Sequence, residues 1–329
     1  MKSKTFALIS LGCAKNLVNS EQMLYLLSEA GYELIPDPDA ADFTVINTCA
    51  FCAIPDIRGR YRSRGFENII EEARDMAAHG IKEIIVIAQD ITRYGTDLYG
   101  RPRLAELCRG ISKIDGVRRI RLHYLYPEVI TDELIDEVAS NDKIVKYLDI
   151  PIQHINDGIL SAMNRHCSGE DIRALFRKLR ERIPGLVLRT SLIAGLPGEG
   201  EEEFSELCGF LKEYKIERAG VFPFSPEEGT PASLMDHVDF ETAKKRADFI
   251  MSEIQVPVMD EFCSSFIGKT VEVLCEGEEE GFLCGRSYAD SPEIDGLVLF
   301  EGDCEEGEFT DVLITSAENG ILYGEEVPG

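Results

Sequence analysis

Cys49 and Cys52 stand at C-x-x-C spacing in Asn47-Thr48-Cys49-Ala50-Phe51-Cys52, and Cys13 sits in Leu11-Gly12-Cys13-Ala14-Lys15-Asn16. Cys13 and Cys49 each come just past an apolar, strand-like run, Phe6 to Leu11 and Phe43 to Ile46. Thiolates presented at strand ends suit three chemistries: an iron–sulfur cluster, a zinc half-site or a redox dithiol. Zinc lacks partners, because no second C-x-x-C or C-x-x-H is available to complete a tetrahedral site. A thioredoxin-like helix does not follow Cys52, since Pro55 and an Arg-Gly run intervene. Both observations weaken the zinc and dithiol readings and leave cluster ligation open.

The elements that must carry these residues follow from periodicity. Residues 1–50 read as strand, helix, strand, with Ser20 as helix cap, Met23, Leu24, Leu27 and Ala30 as the apolar face, and Gly31 as the stop. Two parallel strands joined by that helix would bring Cys13 and Cys49 to one sheet edge, where open α/β sheets hold ligands. From Gly65 onward helix and strand alternate. Strands are expected at Glu83 to Ala88, Arg119 to Leu122, Tyr147 to Ile150, Leu186 to Ser191 and Arg218 to Phe224. Helices are expected at Glu67 to His79 and near 103–112, 131–140, 169–182 and 199–213. Repeated βα units of this kind make a parallel sheet or barrel. Polar residues gather just past the strands: Gln89 and Asp90, His123, Gln153 and His154, and the turn Gly195-Leu196-Pro197-Gly198-Glu199. A βα barrel keeps its chemistry at that rim. A long helix is expected at Asp239 to Phe262. Beyond Ile267, short strands at Thr270 to Cys275, Gly281 to Arg286, Gly296 to Phe300 and Thr310 to Ser316, with Gly and Asp turns, predict a small all-β, OB-like barrel.

Composition bounds the partners. The 329 residues are 44% hydrophobic and regularly patterned, which fits a folded chain of two or three domains. No apolar run approaches the roughly 20 residues that span a bilayer. The N-terminus enters a strand directly, without the apolar core of a signal peptide, so a cytoplasmic location is expected. Ten cysteines in such a chain point to reduced thiols rather than a disulfide framework. Cys108, Cys208, Cys263, Cys275, Cys284 and Cys304 are expected to pack as small apolar groups, and Cys167 lies in a loop. The net charge of −26 opposes binding to a phosphate backbone and suits a basic protein partner. From Gly268 to Gly329 there are 17 acidic residues against Lys269 and Arg286, a balance of −15.

Several segments, in order, carry a resemblance that covers nearly the whole chain. They are Leu11 to Asn16 with Asn19-Ser20-Glu21, Asn47-Thr48-Cys49, Ile54 to Arg64, and Ala88-Gln89-Asp90. They continue with Leu122-His123-Tyr124-Leu125-Tyr126-Pro127, Tyr147-Leu148-Asp149-Ile150-Pro151-Ile152-Gln153-His154, the Gly195 to Glu199 turn, Phe224 to Thr230 and Gly285-Arg286-Ser287-Tyr288-Ala289-Asp290. The chain resembles the radical-SAM methylthiotransferases, and within them the branch that thiomethylates an aspartate of small-subunit ribosomal protein 12.

The resemblance implies a truncated N-terminal methylthiotransferase domain (residues 1–50), a partial radical-SAM (β/α) barrel lacking its first strand (51–262) and a TRAM-like β-barrel (263–329). It implies S-adenosyl-L-methionine as cofactor, two 4Fe–4S clusters in an intact member, an electron donor, and ribosomal protein 12 docked on the acidic tail. Gln89, Asp90, Gln153, Arg189, Gly195, Pro197 and Gly198 would line the adenosylmethionine site, and Cys13, Cys49 and Cys52 would ligate iron. The departure lies at Ala50/Phe51. The family's third auxiliary cysteine and the first two cysteines of its C-x-x-x-C-x-x-C loop have no counterpart here. One thiolate cannot hold the radical-generating cluster, so impaired catalysis is expected, unless Cys13, Cys49 and Cys52 together ligate a single hybrid cluster. A tRNA adenosine methylthiotransferase and a catalytically inactive protein that still binds the ribosomal protein are the alternatives. The acidic tail and Ala88-Gln89-Asp90 favour a protein substrate and no direct nucleic-acid binding.

Overall fold

The computed structural model describes residues 61–226, 230–279 and 281–327, together with the backbone of three N-terminal strands. The chain divides into two units, Met1–Tyr61 with Pro226–Met235, and Arg62–Ser225 with Asp236–Gly329.

In the first unit, strands β1 (Thr5–Leu11), β2 (Glu33–Leu34) and β3 (Phe43–Thr48) form a parallel sheet ordered β2-β1-β3. The β1/β3 register runs from Phe6 opposite Phe43 to Leu11 opposite Thr48. Parallel pairing requires a crossover between the strands. The helix expected from Ser20 to Gly31, and Cys13, Cys49 and Cys52, lie outside the described residues.

The second unit is built on a five-stranded parallel sheet in sequence order: β4 (Glu83–Val86), β5 (Arg119–Leu122), β6 (Ile144–Asp149), β7 (Val187–Ala194) and β8 (Arg218–Pro223). Helices α1 (Phe66–Ala78), α2 (Thr96–Tyr99), α3 (Leu104–Ser112), α4 (Asp132–Ser140), α5 (Asp157–Ala162), α6 (Gly169–Arg182) and α7 (Glu201–Tyr214) connect the strands. Local chemistry sets their ends. Thr131 caps α4 through Leu134 N, and Ser168 with Asp171 forms a reciprocal capping box on α6. Apolar faces of α1, α3, α4, α6 and α7 share one core with Ile120, Leu122, Leu148 and Leu188 of the sheet, all at most 2% exposed. Each side chain buried so completely contributes about 1.5–3 kcal/mol.

The other face of the sheet is covered by the C-terminal barrel. Strands β9 (Thr270–Glu279), β10 (Phe282–Arg286), β11 (Val298–Glu301), β12 (Phe309–Glu318) and β13 (Ile321–Glu326) close in the order β10-β11-β13-β12-β9. Val273, Phe300, Val312 and Ile314 fill it and share one core with Val145, Tyr147 and Val187 of the sheet. Around this apolar contact runs a buried polar seam. Glu83 takes Arg121 Nε at 2.9 Å and Arg286 Nη2 at 2.7 Å, Arg218 meets Asp290 at 2.6 Å, and the Tyr147 hydroxyl donates to Asp295 at 2.6 Å. Arg121 also donates to the carbonyls of Ser287 and Tyr288.

The structure departs from the expected elements in several places, and the short helices α2 and α5 were not expected. Strand β4 ends at Val86 rather than Ala88, with Ile87 exposed. The long C-terminal helix is two, α8 (Phe240–Ile250) and α9 (Val256–Ser264), joined by one π turn over Met251–Gln255. Pro257 lacks the N–H that a regular helix needs, and the wider turn swings Gln255 inward, where its amide donates to Ile216 O at 3.0 Å. Strand β13, absent from the expectation, completes the barrel.

Candidate functional site

The C-terminal ends of β4 to β8 form one rim, and hydrogen bonds link its loops side by side. After β4, Asp90 accepts from Thr92 N at 2.9 Å and from the Thr92 hydroxyl, and that hydroxyl oxygen accepts from Tyr126 N at 3.3 Å. Burial pushes the Asp90 carboxyl up, against the pull of Thr92. After β5, His123 lies 4% exposed, with its Nε2 3.3 Å from the Ser291 hydroxyl of the C-terminal barrel. Tyr124 adopts φ +60° and donates its N–H to Asp149 Oδ2 at 3.3 Å, while Leu125 N donates to the Asp149 carbonyl at 2.8 Å.

Asp149, at the end of β6, is wholly buried and receives Arg189 Nη1 at 2.8 Å. Burial raises its carboxyl, and Arg189 opposes the rise. Gln153 follows in a left-handed conformation, φ +70°, that a non-glycine residue adopts only under constraint. Its N–H donates to Ser191 O and its carbonyl accepts from Ile193 N, both at 2.9 Å, which binds the loop to the end of β7.

The Gly195–Gly198 turn begins two residues further on. Gly195 has φ +82°, and a Cβ there would come within 2.4 Å of Ala243 Cβ, so the position accepts only glycine. Glu199 holds the turn from beneath. Its Oε1 accepts from Gly195 N at 2.8 Å and from Arg246 Nη1 at 2.9 Å, and its Oε2 lies 3.3 Å from His154 Nε2. His154 Nδ1 accepts from Asn156 N at 3.0 Å, which leaves the neutral ring's proton on Nε2, facing that carboxylate. Pro197 is buried in the turn, and Gly198, exposed with φ +88°, donates to Asp236 O at 3.3 Å.

Gln153 and the Gly195–Gly198 turn thus meet at the end of β7. Gln89 and Asp90 sit three strands away, on the β4 loop. Arg189 lies lower on β7 and is committed to Asp149. Asp149, Thr92 and Arg246 were not singled out from the sequence. A signal existed for Asp149, a carboxylate closing the otherwise apolar Tyr147-Leu148-Asp149-Ile150. Asp149 holds the backbone of Tyr124 and Leu125 on one side and the Arg189 guanidinium on the other, which makes it a positioning residue.

The thiols give a different result. All seven described cysteines are free: Cys108, Cys167, Cys208, Cys263, Cys275, Cys284 and Cys304. Burial pushes the Cys108 and Cys167 thiols up to about 12, and Cys167 Sγ donates to Glu128 at 3.4 Å. Among the described residues no three His, Cys, Asp or Glu side chains are grouped to hold a metal ion. An iron–sulfur cluster requires three or four thiolates on one face. The described residues do not fit such a cluster, and the remaining cysteines, Cys13, Cys49 and Cys52, lie outside them.

A parallel βα sheet with its polar groups at the strand ends, and a closed β-barrel after it, agrees with three family models. The Radical SAM superfamily matches residues 46–211, the uncharacterized protein family UPF0004 residues 5–80, and the TRAM domain residues 267–327. The chain belongs to the radical SAM superfamily. It is similar to proteins named ribosomal protein uS12 methylthiotransferase RimO. The one from Clostridium botulinum strain Hall is 49% identical over 278 residues, 84% of this chain and 62% of that protein. The one from Caldanaerobacter subterraneus subsp. tengcongensis is 48% identical over 281 residues, 85% of this chain and 64% of that protein. The match therefore spans less than two thirds of these relatives. A solved radical S-adenosylmethionine methyltransferase, TsrM from Kitasatospora setae, overlays 53% of this chain and 33% of its own at TM-score 0.44 and 21% identity, a likeness too partial to carry the assignment.

Proposed function

We propose that this chain is a methylthiotransferase for an aspartate of ribosomal protein uS12, retaining the binding surfaces of that activity while lacking the thiolates for two clusters. The observation that carries the proposal is the relationship to the RimO proteins, near 49% identity along 84% of this chain. Charge supports the same substrate. The C-terminal barrel bears 17 acidic residues against two basic ones between Gly268 and Gly329, which complements a basic ribosomal protein and repels tRNA. On this reading, Gln153, Gly195, Pro197 and Gly198 line the adenosylmethionine site from the β7 end, and Gln89 and Asp90 from the β4 loop. Arg189 bears on it through Asp149 and the backbone of Tyr124 and Leu125. Bound there, adenosylmethionine supplies the methyl group and the radical source. An electron donor is the second protein partner, and the cytoplasm is the compartment. No helix among the described residues is long and apolar enough to cross a membrane.

The test is binding of purified uS12 and of tRNA to the full chain by surface plasmon resonance, beside an assay for reductive cleavage of adenosylmethionine after anaerobic reconstitution. The expected result is uS12 binding whose association rate falls with salt while dissociation barely changes, with no 5′-deoxyadenosine released. Tighter binding to tRNA than to uS12 would reject the substrate. Sustained 5′-deoxyadenosine formation would reject the impaired catalysis and mean that the three remaining thiolates hold a radical-generating cluster.

A further inference from the structure

Cys275, Cys284 and Cys304 are scattered along the sequence at no useful spacing, yet the C-terminal barrel gathers them at one end. Cys275 points into the barrel core from β9 and is 1% exposed. Cys304, in the loop between β11 and β12, packs against the same core, half-buried. Its carbonyl lies 3.8 Å from Cys275 Sγ, which sets Cys304 beside the buried thiol. The loop is held in this position by its backbone: Gly307 N donates to Cys275 O and Cys275 N donates to Glu308 O, both at 2.9 Å. Cys284 sits on the neighbouring strand β10, opposite Gly277.

We propose that Cys275 and Cys304 form a redox-responsive pair whose disulfide staples the acidic loop Glu301–Glu308 to β9. That loop carries Glu301, Asp303, Glu305, Glu306 and Glu308, the densest run of carboxylates on the barrel outside β9. Closing the bond fixes the display of this charge to whatever docks there. The oxidant is a low-molecular-weight disulfide. The Cys304 thiolate attacks one of its sulfurs, forming a mixed disulfide and releasing one thiolate, which takes up the proton Cys304 gave. The Cys275 thiolate then attacks Cys304 Sγ and displaces the second thiolate, which takes the Cys275 proton. The protein pair loses two electrons, and one small disulfide becomes two small thiols.

The environment makes the reduced pair slow to react. Burial, the neighbouring Cys275, and the carboxylates of Glu326 and Glu308 push the Cys304 thiol up to about 11. At neutral pH about one thiol in ten thousand is ionised, so the pair answers sustained oxidation rather than a brief pulse.

The experiment treats the native full chain with oxidised glutathione, caps remaining thiols with N-ethylmaleimide, and maps linked peptides by mass spectrometry. The expected product is a Cys275–Cys304 cross-link cleaved by dithiothreitol. Its formation rate should rise about tenfold per pH unit over mildly alkaline pH, following the Cys304 thiolate. Cleavage by a Glu-specific protease after Glu305 and Glu306 should slow about tenfold in the oxidised chain, and Cys304→Ser, a one-atom change at a half-buried loop position, should lose both effects. A stable mixed disulfide at Cys304, a link from Cys304 to Cys284, or a cross-link seen only in denaturant would each overturn the proposal.

Discussion

His123 stacks on Tyr147 with ring centroids 6.0 Å apart and presents Nε2 to the Ser291 hydroxyl. Burial first, then the Arg121 and Arg189 guanidinium groups, lower its basicity to about 3; Arg286 adds to this and Glu83 opposes it. Unfolded, a histidine titrates near 6.5. Between those values the unfolded chain takes up a proton that the folded chain refuses, so this residue's contribution is intact above about pH 6.5 and is lost progressively down to about 3. Replacing it by glutamine removes the titration. Thermal or urea unfolding at pH 7 and pH 4.5 should therefore show the parent losing about 2–3 kcal/mol more than His123→Gln, the linkage over two pH units. Equal losses in both proteins would place the proton cost elsewhere. Histidine 123 was legible as a polar residue past a strand, but its neighbour was not. The partner, Ser291, lies 168 positions on, and no local pattern reports so distant a contact. Gln153 and the Gly195 turn were legible together because each ends an apolar run. Asp149 fixes the backbone of Tyr124 and Leu125, and Glu199 that of Gly195, and neither partnership shows in the local sequence.

At the scale of elements, the seam between the parallel sheet and the C-terminal barrel decides whether the two act as one body. Arg218 and Asp290 are 5% and 1% exposed and meet at 2.6 Å, with Arg218 also reaching the Ala289 carbonyl. Burial raises the Asp290 carboxyl against Arg218, so the pair is costly to assemble and costlier to break. Asp290→Ala leaves a buried guanidinium without its counter-charge and should cost about 3–5 kcal/mol in urea unfolding. The double change Arg218→Met with Asp290→Leu removes both charges and should recover most of that loss, whereas equal losses would mean that the contact works by shape rather than charge. The βα alternation was legible because a 3.6-residue stripe and an apolar strand repeat in turn. Strand β13 was missed although its signal was present. Asn319 and Gly320 have φ +51° and +81° between Glu318 and Ile321, which are paired, so they form the two-residue turn that Asn-Gly favours. The π turn before α9 had a weaker mark, Pro257, and the inward swing of Gln255 depends on carbonyls at 216 and 217 that the local sequence does not announce.

For the whole molecule, the accounting of thiols constrains more than any single contact. The chain has ten cysteines, and seven of them belong to the described part of the second unit, where each is held in an apolar core or in the barrel end. Recruiting any of these to iron would cost its packing in the second unit. Cys108, for one, is 0% exposed and pushed up to about 12, and it would have to leave the interior ionised. Only Cys13, Cys49 and Cys52 remain, and a 4Fe–4S cluster with one open iron uses three. The chain can therefore load one cluster at most, about four irons and four sulfides per polypeptide after anaerobic reconstitution. Replacing Cys52 by alanine should reduce the bound iron to background, because two thiolates do not hold a cube. Replacing Cys108 should leave the iron unchanged. Iron near twice that figure, or iron unaffected by Cys52→Ala, would mean that the buried cysteines of the second unit leave their cores to bind metal.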